Sequence, residues 1–111
     1  MKELMIMSTL SINDIKNKIT PICKNYDVAQ AYLFGSYARG EATEDSDVDI
    51  RIDKGNSQKL RGLFDVSGFQ LDLMDALGKK VDLITILPEQ ELYSIFRNRI
   101  VKEEVLLYEA E

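Results

Sequence analysis

Two aspartates, Asp47 and Asp49, stand one residue apart in the run Asp47-Val48-Asp49-Ile50-Arg51-Ile52-Asp53. The run alternates polar and apolar residues. It therefore reads as a strand, with Asp47, Asp49 and Arg51 on one face and Val48, Ile50 and Ile52 on the other. The two carboxylates project from the same side, about 6–7 Å apart along the strand. Like charges placed this way repel, and a cation relieves them. A pair of divalent ions roughly 3.5–4 Å apart fits between such carboxylates and is the usual arrangement for in-line phosphoryl chemistry. Taken alone, Asp-x-Asp has a second reading, a solvated sheet face or an edge strand that carries charge against aggregation.

A second feature lies upstream. The apolar run Val28 to Phe34 reads as a buried strand that ends in Gly35-Ser36. Glycine lets the backbone approach a ligand closely, and the amides and hydroxyl of such a turn suit a phosphate. By itself the junction reads equally as a tight turn with a serine cap. The combination is more specific. With each fixed residue used at roughly 5–7%, Gly-Ser, ten residues, then Asp-x-Asp arises by chance in a chain this long about once in a thousand.

Composition narrows the chemistry. The chain has 111 residues, one cysteine and no histidine. Zinc sites built on histidine, histidine general bases and serine–histidine triads are excluded, and a metal must be bound by oxygen, as magnesium or manganese is. Cys23 has no internal disulfide partner and lies beside an apolar helix face, where it reads as a small packed hydrophobe. A net charge of −5 makes direct nucleic-acid binding a poor expectation. No run approaches the ~20 apolar residues of a membrane span, and Glu3 interrupts the short apolar opening. A cytoplasmic location without membrane contact is expected.

These residues need elements to hold them. Residues 1–10 read as an N-terminal extension and 11–111 as one domain. Ser11 to Asn25 reads as a helix with an apolar face of Ile12, Ile15, Ile19, Ile22 and Tyr26. Ser11 and Asp14 form a capping box, Leu10 and Ile15 a hydrophobic staple, and Pro21 is expected to kink or split the helix. Gly35 to Arg39 forms one helical turn closed by Gly40, and Glu41 to Ser46 is a loop. Gln58 to Leu77 reads as a long helix with a stripe of Leu60, Leu63, Phe64, Leu71, Met74 and Leu77, stopped by Gly78. Val81 to Ile86 is a third strand, Glu89 to about Lys102 a further helix, and Val105 to Tyr108 a short strand or helical turn. The fold class is α/β (α+β), a small mixed sheet of three or more strands flanked by helices.

The string GSYARGEATEDSDVDI, residues 35 to 50, resembles the signature of the polymerase-beta-type nucleotidyltransferase superfamily. With Ala38-Arg39-Gly40 and Ser46 it is similar to the small prokaryotic branch, the minimal nucleotidyltransferase (MNT) antitoxins that pair with HEPN ribonuclease toxins. The Tyr32-Leu33-Phe34 strand, the stretch Leu77 to Leu83 and the closing Val105-Leu106-Leu107-Tyr108 also look like the family. The resemblance implies the nucleotidyltransferase fold and a third carboxylate, matched here by Asp82. It implies that Asp47, Asp49 and Asp82 are catalytic and hold Mg2+ or Mn2+, and that Gly35 and Ser36 position the phosphates of ATP. Arg39 is assigned to the nucleotide, with a salt bridge to Asp47 or Glu44 as its other reading. For Asp82 the other reading is an exposed position on an edge strand.

The activity implied is transfer of AMP from ATP to a tyrosine of a partner HEPN toxin. Two alternatives remain: neutralisation of the toxin by binding alone, or transfer to a small molecule. Arg51 motivates the first, since it shares the face of Asp47 and Asp49 and stands where relatives carry an apolar residue. It either contacts phosphate or neutralises the carboxylates. Lys79, Lys80, Arg97 and Arg99 read as solvated surface.

Overall fold

Ser11 opens the first helix as its sequence requires. Its side chain accepts from the Asp14 amide while Asp14 accepts from the Ser11 amide, a complete capping box. A computed structural model of the chain describes residues 9–85 and 103–111. The helix, α1, runs Ile12–Asn25 and buries Ile15, Ile19 and Cys23. Pro21 does not split it: the ring is exposed and the helix continues to Asn25. Just before Pro21, the Thr20 hydroxyl donates to the Lys16 carbonyl one turn back.

The chain then enters β1 (Gln30–Phe34), passes straight into the helical turn α2 (Gly35–Arg39), and crosses a loop to β2 (Val48–Asp53). Next come α3 (Leu63–Leu77) and β3 (Val81–Ile84), and β4 (Val105–Glu109) closes the described chain. The strands form one mixed sheet in the order β3-β2-β1-β4. β1 is antiparallel to both β2 and β4, and β2 is parallel to β3. No helix among the described residues is long and apolar enough to cross a membrane.

The alternation in β2 decides which way the sheet faces. Val48, Ile50 and Ile52 are buried with Ala31, Leu33, Val81 and Leu107 in the same core as the inward residues of α1 and α3. The opposite face carries Asp49 and Arg51. Tyr26, which caps α1, donates to Asp72 of α3 at 2.7 Å and meets Phe69 edge-on at 5.0 Å, which ties the two helices together.

Several sequence expectations shift. β1 begins at Gln30 rather than Val28, because Asp27 adopts a left-handed φ of 57° and turns the chain. β2 begins one residue after Asp47. The expected helix from Gln58 starts at Leu63. Ser57 and Lys59 form a side-chain turn, Lys54 Nζ donates to the Leu60 carbonyl, and Gly62 is extended, so residues 58–62 are drawn out of the helix. The expected stripe holds only in part: Leu60 and Leu77 are buried and Met74 packs against the core. α3 buries Phe69, Leu73 and Leu77, while Leu63, Phe64 and Leu71 are exposed. Val105–Glu109 resolves as a strand. The expected helix over Glu89 to Lys102, with Arg97 and Arg99, lies outside the described residues.

Candidate functional site

The site is made by sheet register. In the antiparallel pair, Phe34 lies opposite Asp49, so the residue that follows, Gly35, arrives beside the Asp49 side chain. In the parallel pair, Asp49 lies opposite Asp82. Two strands distant in sequence thus present carboxylates at one level, with Asp47 just ahead of β2.

Gly35 is required where it stands. Its φ of 74° is left-handed, and a Cβ there would run into the Asp49 carboxylate. The glycine leaves a cradle that lets backbone and carboxylate come together. α2 follows at once and is anchored by buried Tyr37. Gly40 closes it, also with a φ of 74°, as the sequence suggests.

The loop before Asp47 is braced. The Thr43 amide donates to Ser46 Oγ at 2.9 Å, and the Ser46 amide returns to the Thr43 carbonyl at 3.0 Å. Lys79 Nζ, from the turn between α3 and β3, donates to the Glu44 carbonyl at 2.8 Å. The Val48 amide donates to the Lys80 carbonyl at 2.9 Å. The turn that leads to Asp82 therefore holds the loop that leads to Asp47. Lys79, expected as bare surface, has this positioning contact.

Electrostatics set Asp49 apart. Its carboxyl is pushed up from 3.8 to about 6. Burial is the main cause, followed by the charge of Asp82, a hydrogen bond with Asp82 and the charge of Asp47; Arg39 acts weakly in the other direction. A charged Asp49 is thus under-compensated by the protein itself. Asp82 is exposed on β3, an edge strand among the described residues, and shares the site through register rather than burial.

The two arginines resolve differently from expectation. Arg39 pairs with Glu41 at 2.9 Å and Glu103 at 3.0 Å, not with Asp47 or Glu44. Arg51 is buried, 4% exposed. Its Nε and Nη2 fork onto both oxygens of Glu104 at 3.0–3.1 Å, and its guanidinium lies 4.5 Å from the centre of the Tyr32 ring. Glu103 and Glu104 were not singled out from the sequence. Their only signal was an acidic pair ahead of a strand, more than fifty residues from either arginine.

The donor set fits a hard divalent cation. All donors are carboxylate oxygens, and that of Asp49 is pushed up to about 6 by burial and by its acidic neighbours. Among the described residues, no three acidic or sulfur side chains already converge as a closed metal cage. Magnesium does not need one, since it is held by one or two carboxylates together with substrate phosphates. Cys23 takes no part: burial pushes its thiol up to about 12.

The chain resembles known proteins in sequence and in fold. The family described as Polymerase beta, Nucleotidyltransferase matches residues 17–111. A Methanocaldococcus jannaschii protein named as a candidate protein adenylyltransferase is 38% identical over 96 residues, covering 86% of this chain and 97% of its own. The protein adenylyltransferase MntA of Thermococcus cleftensis is 34% identical over 82 residues, covering 70% of this chain and 80% of its own. Among solved structures, a chain from the complex of a tri-AMPylated Shewanella oneidensis HEPN toxin with MNT antitoxin superposes with a TM-score of 0.62. It is 20% identical and covers 89% of this chain and 73% of its own. With the nucleotidyltransferase fold, the Gly35–Asp49–Asp82 register and a family match over most of its length, this chain belongs to the polymerase-beta nucleotidyltransferases.

Proposed function

We propose that the chain transfers AMP from ATP to a tyrosine hydroxyl of a partner HEPN ribonuclease toxin and acts as its antitoxin. The observation that carries the reading is the under-compensated Asp49, aligned with Asp82 and cradled by Gly35. The adenylyltransferase relatives and the AMPylated toxin complex support the choice of AMP and of a protein acceptor.

Asp47, Asp49 and Asp82 would hold the metal, Mg2+ or Mn2+, and the backbone at Gly35 with the Ser36 hydroxyl would bind the triphosphate. When bound, the metal supplies the positive charge that neutralises the triphosphate and the departing pyrophosphate. The acceptor oxygen forms its bond to the α-phosphorus while the bond from that phosphorus to the α–β bridging oxygen breaks. Asp82, exposed at the edge of the site, accepts the hydroxyl proton. Among the described residues Arg39 is held by ion pairs with Glu41 and Glu103, and pairs near the surface exchange readily for a phosphate. A phosphodiester on the toxin's tyrosine adds negative charge and bulk that exclude RNA.

Neutralisation by binding alone was motivated by Arg51, and Glu104 bears on it. Arg51 has a carboxylate fork of its own. The Asp49 carboxyl is raised first by burial and then by Asp82 and Asp47, and the cation that acts against this rise is Arg39 rather than Arg51.

The test is incubation of the pure chain with α-labelled ATP, magnesium and the product of the neighbouring open reading frame. Label on a tyrosine of that protein is expected, and its loss on Tyr→Phe substitution at that position. An unlabelled neighbour, with both proteins folded, sinks the proposal.

A further inference from the structure

The outward side of α3 is apolar where an isolated domain would be polar. Phe64 is 95% exposed, Leu63 86% and Leu71 62%. Nothing in the transfer chemistry uses them. Phe64 and Leu71 lie on the ridge opposite buried Leu73, with Leu63 and exposed Ser67 along its flank. An exposed phenylalanine alone presents roughly 200 Å2. Contiguous apolar patches of a few hundred Å2 mark interaction surfaces.

We propose that this face pairs with the same face of a second copy of the chain, the two α3 helices crossing antiparallel about a twofold axis near Ser67. The residue types are self-complementary in that arrangement. Ser67 is small and lets the helices approach at the axis. Leu63 and Leu71 lie four residues to either side, so Leu63 and Phe64 of one copy meet Leu71 of the other, and the contact repeats across the axis.

The charged ends support the same occupant. Arg61, just ahead of α3, is exposed, and its amide is tied to Asp65 at 3.1 Å. Asp75, near the other end, is exposed too. Neither has an ion-pair partner among the described residues. Antiparallel crossing sets Arg61 of each copy beside Asp75 of the other. A parallel crossing sets acid against acid. Because the inward side of α3 covers the core face of the sheet, pairing through its outward side leaves the carboxylate cluster open. The inference is independent of which acceptor the enzyme modifies.

Sedimentation velocity on the full chain alone, from about 5 to 200 μM, a range that brackets micromolar pairing, tests it. The expected species has twice the 12.7 kDa chain mass. Phe64→Glu should weaken pairing by on the order of 100-fold, with an unchanged circular-dichroism spectrum and unchanged Mg-ATP binding. Arg61→Asp should weaken it by roughly 10-fold and Arg61→Asp with Asp75→Arg should restore it. A 12.7 kDa species throughout overturns the proposal. So does pairing that ignores Phe64→Glu, or a charge swap that fails to restore it. A monomer whose Phe64→Glu variant loses the acceptor protein instead assigns the face to that acceptor and also overturns it.

Discussion

Asp49 and Arg51 sit two residues apart on one face of β2, and the fold treats the two charges differently. Arg51 is buried against Tyr32 and answered by a two-oxygen fork from Glu104. Asp49 is half-buried and answered mainly by more negative charge, from Asp82 and Asp47. The first pair is closed and serves the architecture: it fastens the start of β4 to the sheet. The second group is open and needs something the chain does not supply. A compensated buried charge marks structure, and an under-compensated one at a glycine cradle marks a ligand site.

Asp49→Asn should break the contrast most strongly. Transfer to the acceptor should fall by at least on the order of 10^2–10^3-fold, with no loss of thermal stability in metal-free buffer. Loss of both together would make Asp49 structural, and steady-state transfer rates beside melting curves decide it.

Glu104→Ala should do the reverse. It removes the carboxylate fork from a buried guanidinium and should cost about 3–5 kcal/mol of stability, read by urea titration. Transfer per folded molecule should survive at temperatures well below the melt. Replacing the pair together, Arg51→Met with Glu104→Leu, should recover most of the stability.

Gly35→Ala should be intermediate and touch both properties. The left-handed backbone alone costs a side chain roughly 1–2 kcal/mol, and the new Cβ displaces Asp49. Stability and Mg-ATP affinity should fall together, measured by melting and calorimetry.

The smallest effect is a pH slope. The raised Asp49 carboxyl means that the folded chain holds a proton the unfolded chain releases. That contribution is complete below about pH 4, the ordinary carboxylate range, and is lost as pH rises through about 6. Metal-free stability should therefore decline across this window through this site, and Asp49→Asn should flatten the decline. Magnesium should offset it at pH 7.5. Denaturant titrations at stepped pH would detect it, and an unchanged slope in Asp49→Asn would remove Asp49 as its source.

Legibility followed the range of the forces involved. The capping box at Ser11, the glycine stop at Gly40 and the alternation of β2 are local, and the sequence displayed them. Gly35, Ser36, Asp47 and Asp49 could be singled out as candidates because their spacing is short, and the structure brings Gly35 against Asp49. Asp82 needed the family resemblance, since its place opposite Asp49 depends on a parallel pairing across an intervening helix. The partners of Arg39 and Arg51 were not readable, because Glu103 and Glu104 meet them only after the sheet has closed. The stripe assigned to α3 held only in part, for a different reason. Leu63, Phe64 and Leu71 were read into one apolar stripe with Leu60 and Leu77, of which only the last two are buried, and Phe69 and Leu73 complete the inward face. An apolar face bound for another surface follows the same periodicity as one bound for the interior.

The most direct test of the open site is calorimetric titration of Mg-ATP into the pure chain at pH 7.5. Wild type should bind, Asp49→Asn should lose binding, and the Arg51→Met, Glu104→Leu pair should bind as wild type does. Equal binding by wild type and Asp49→Asn would contradict the account.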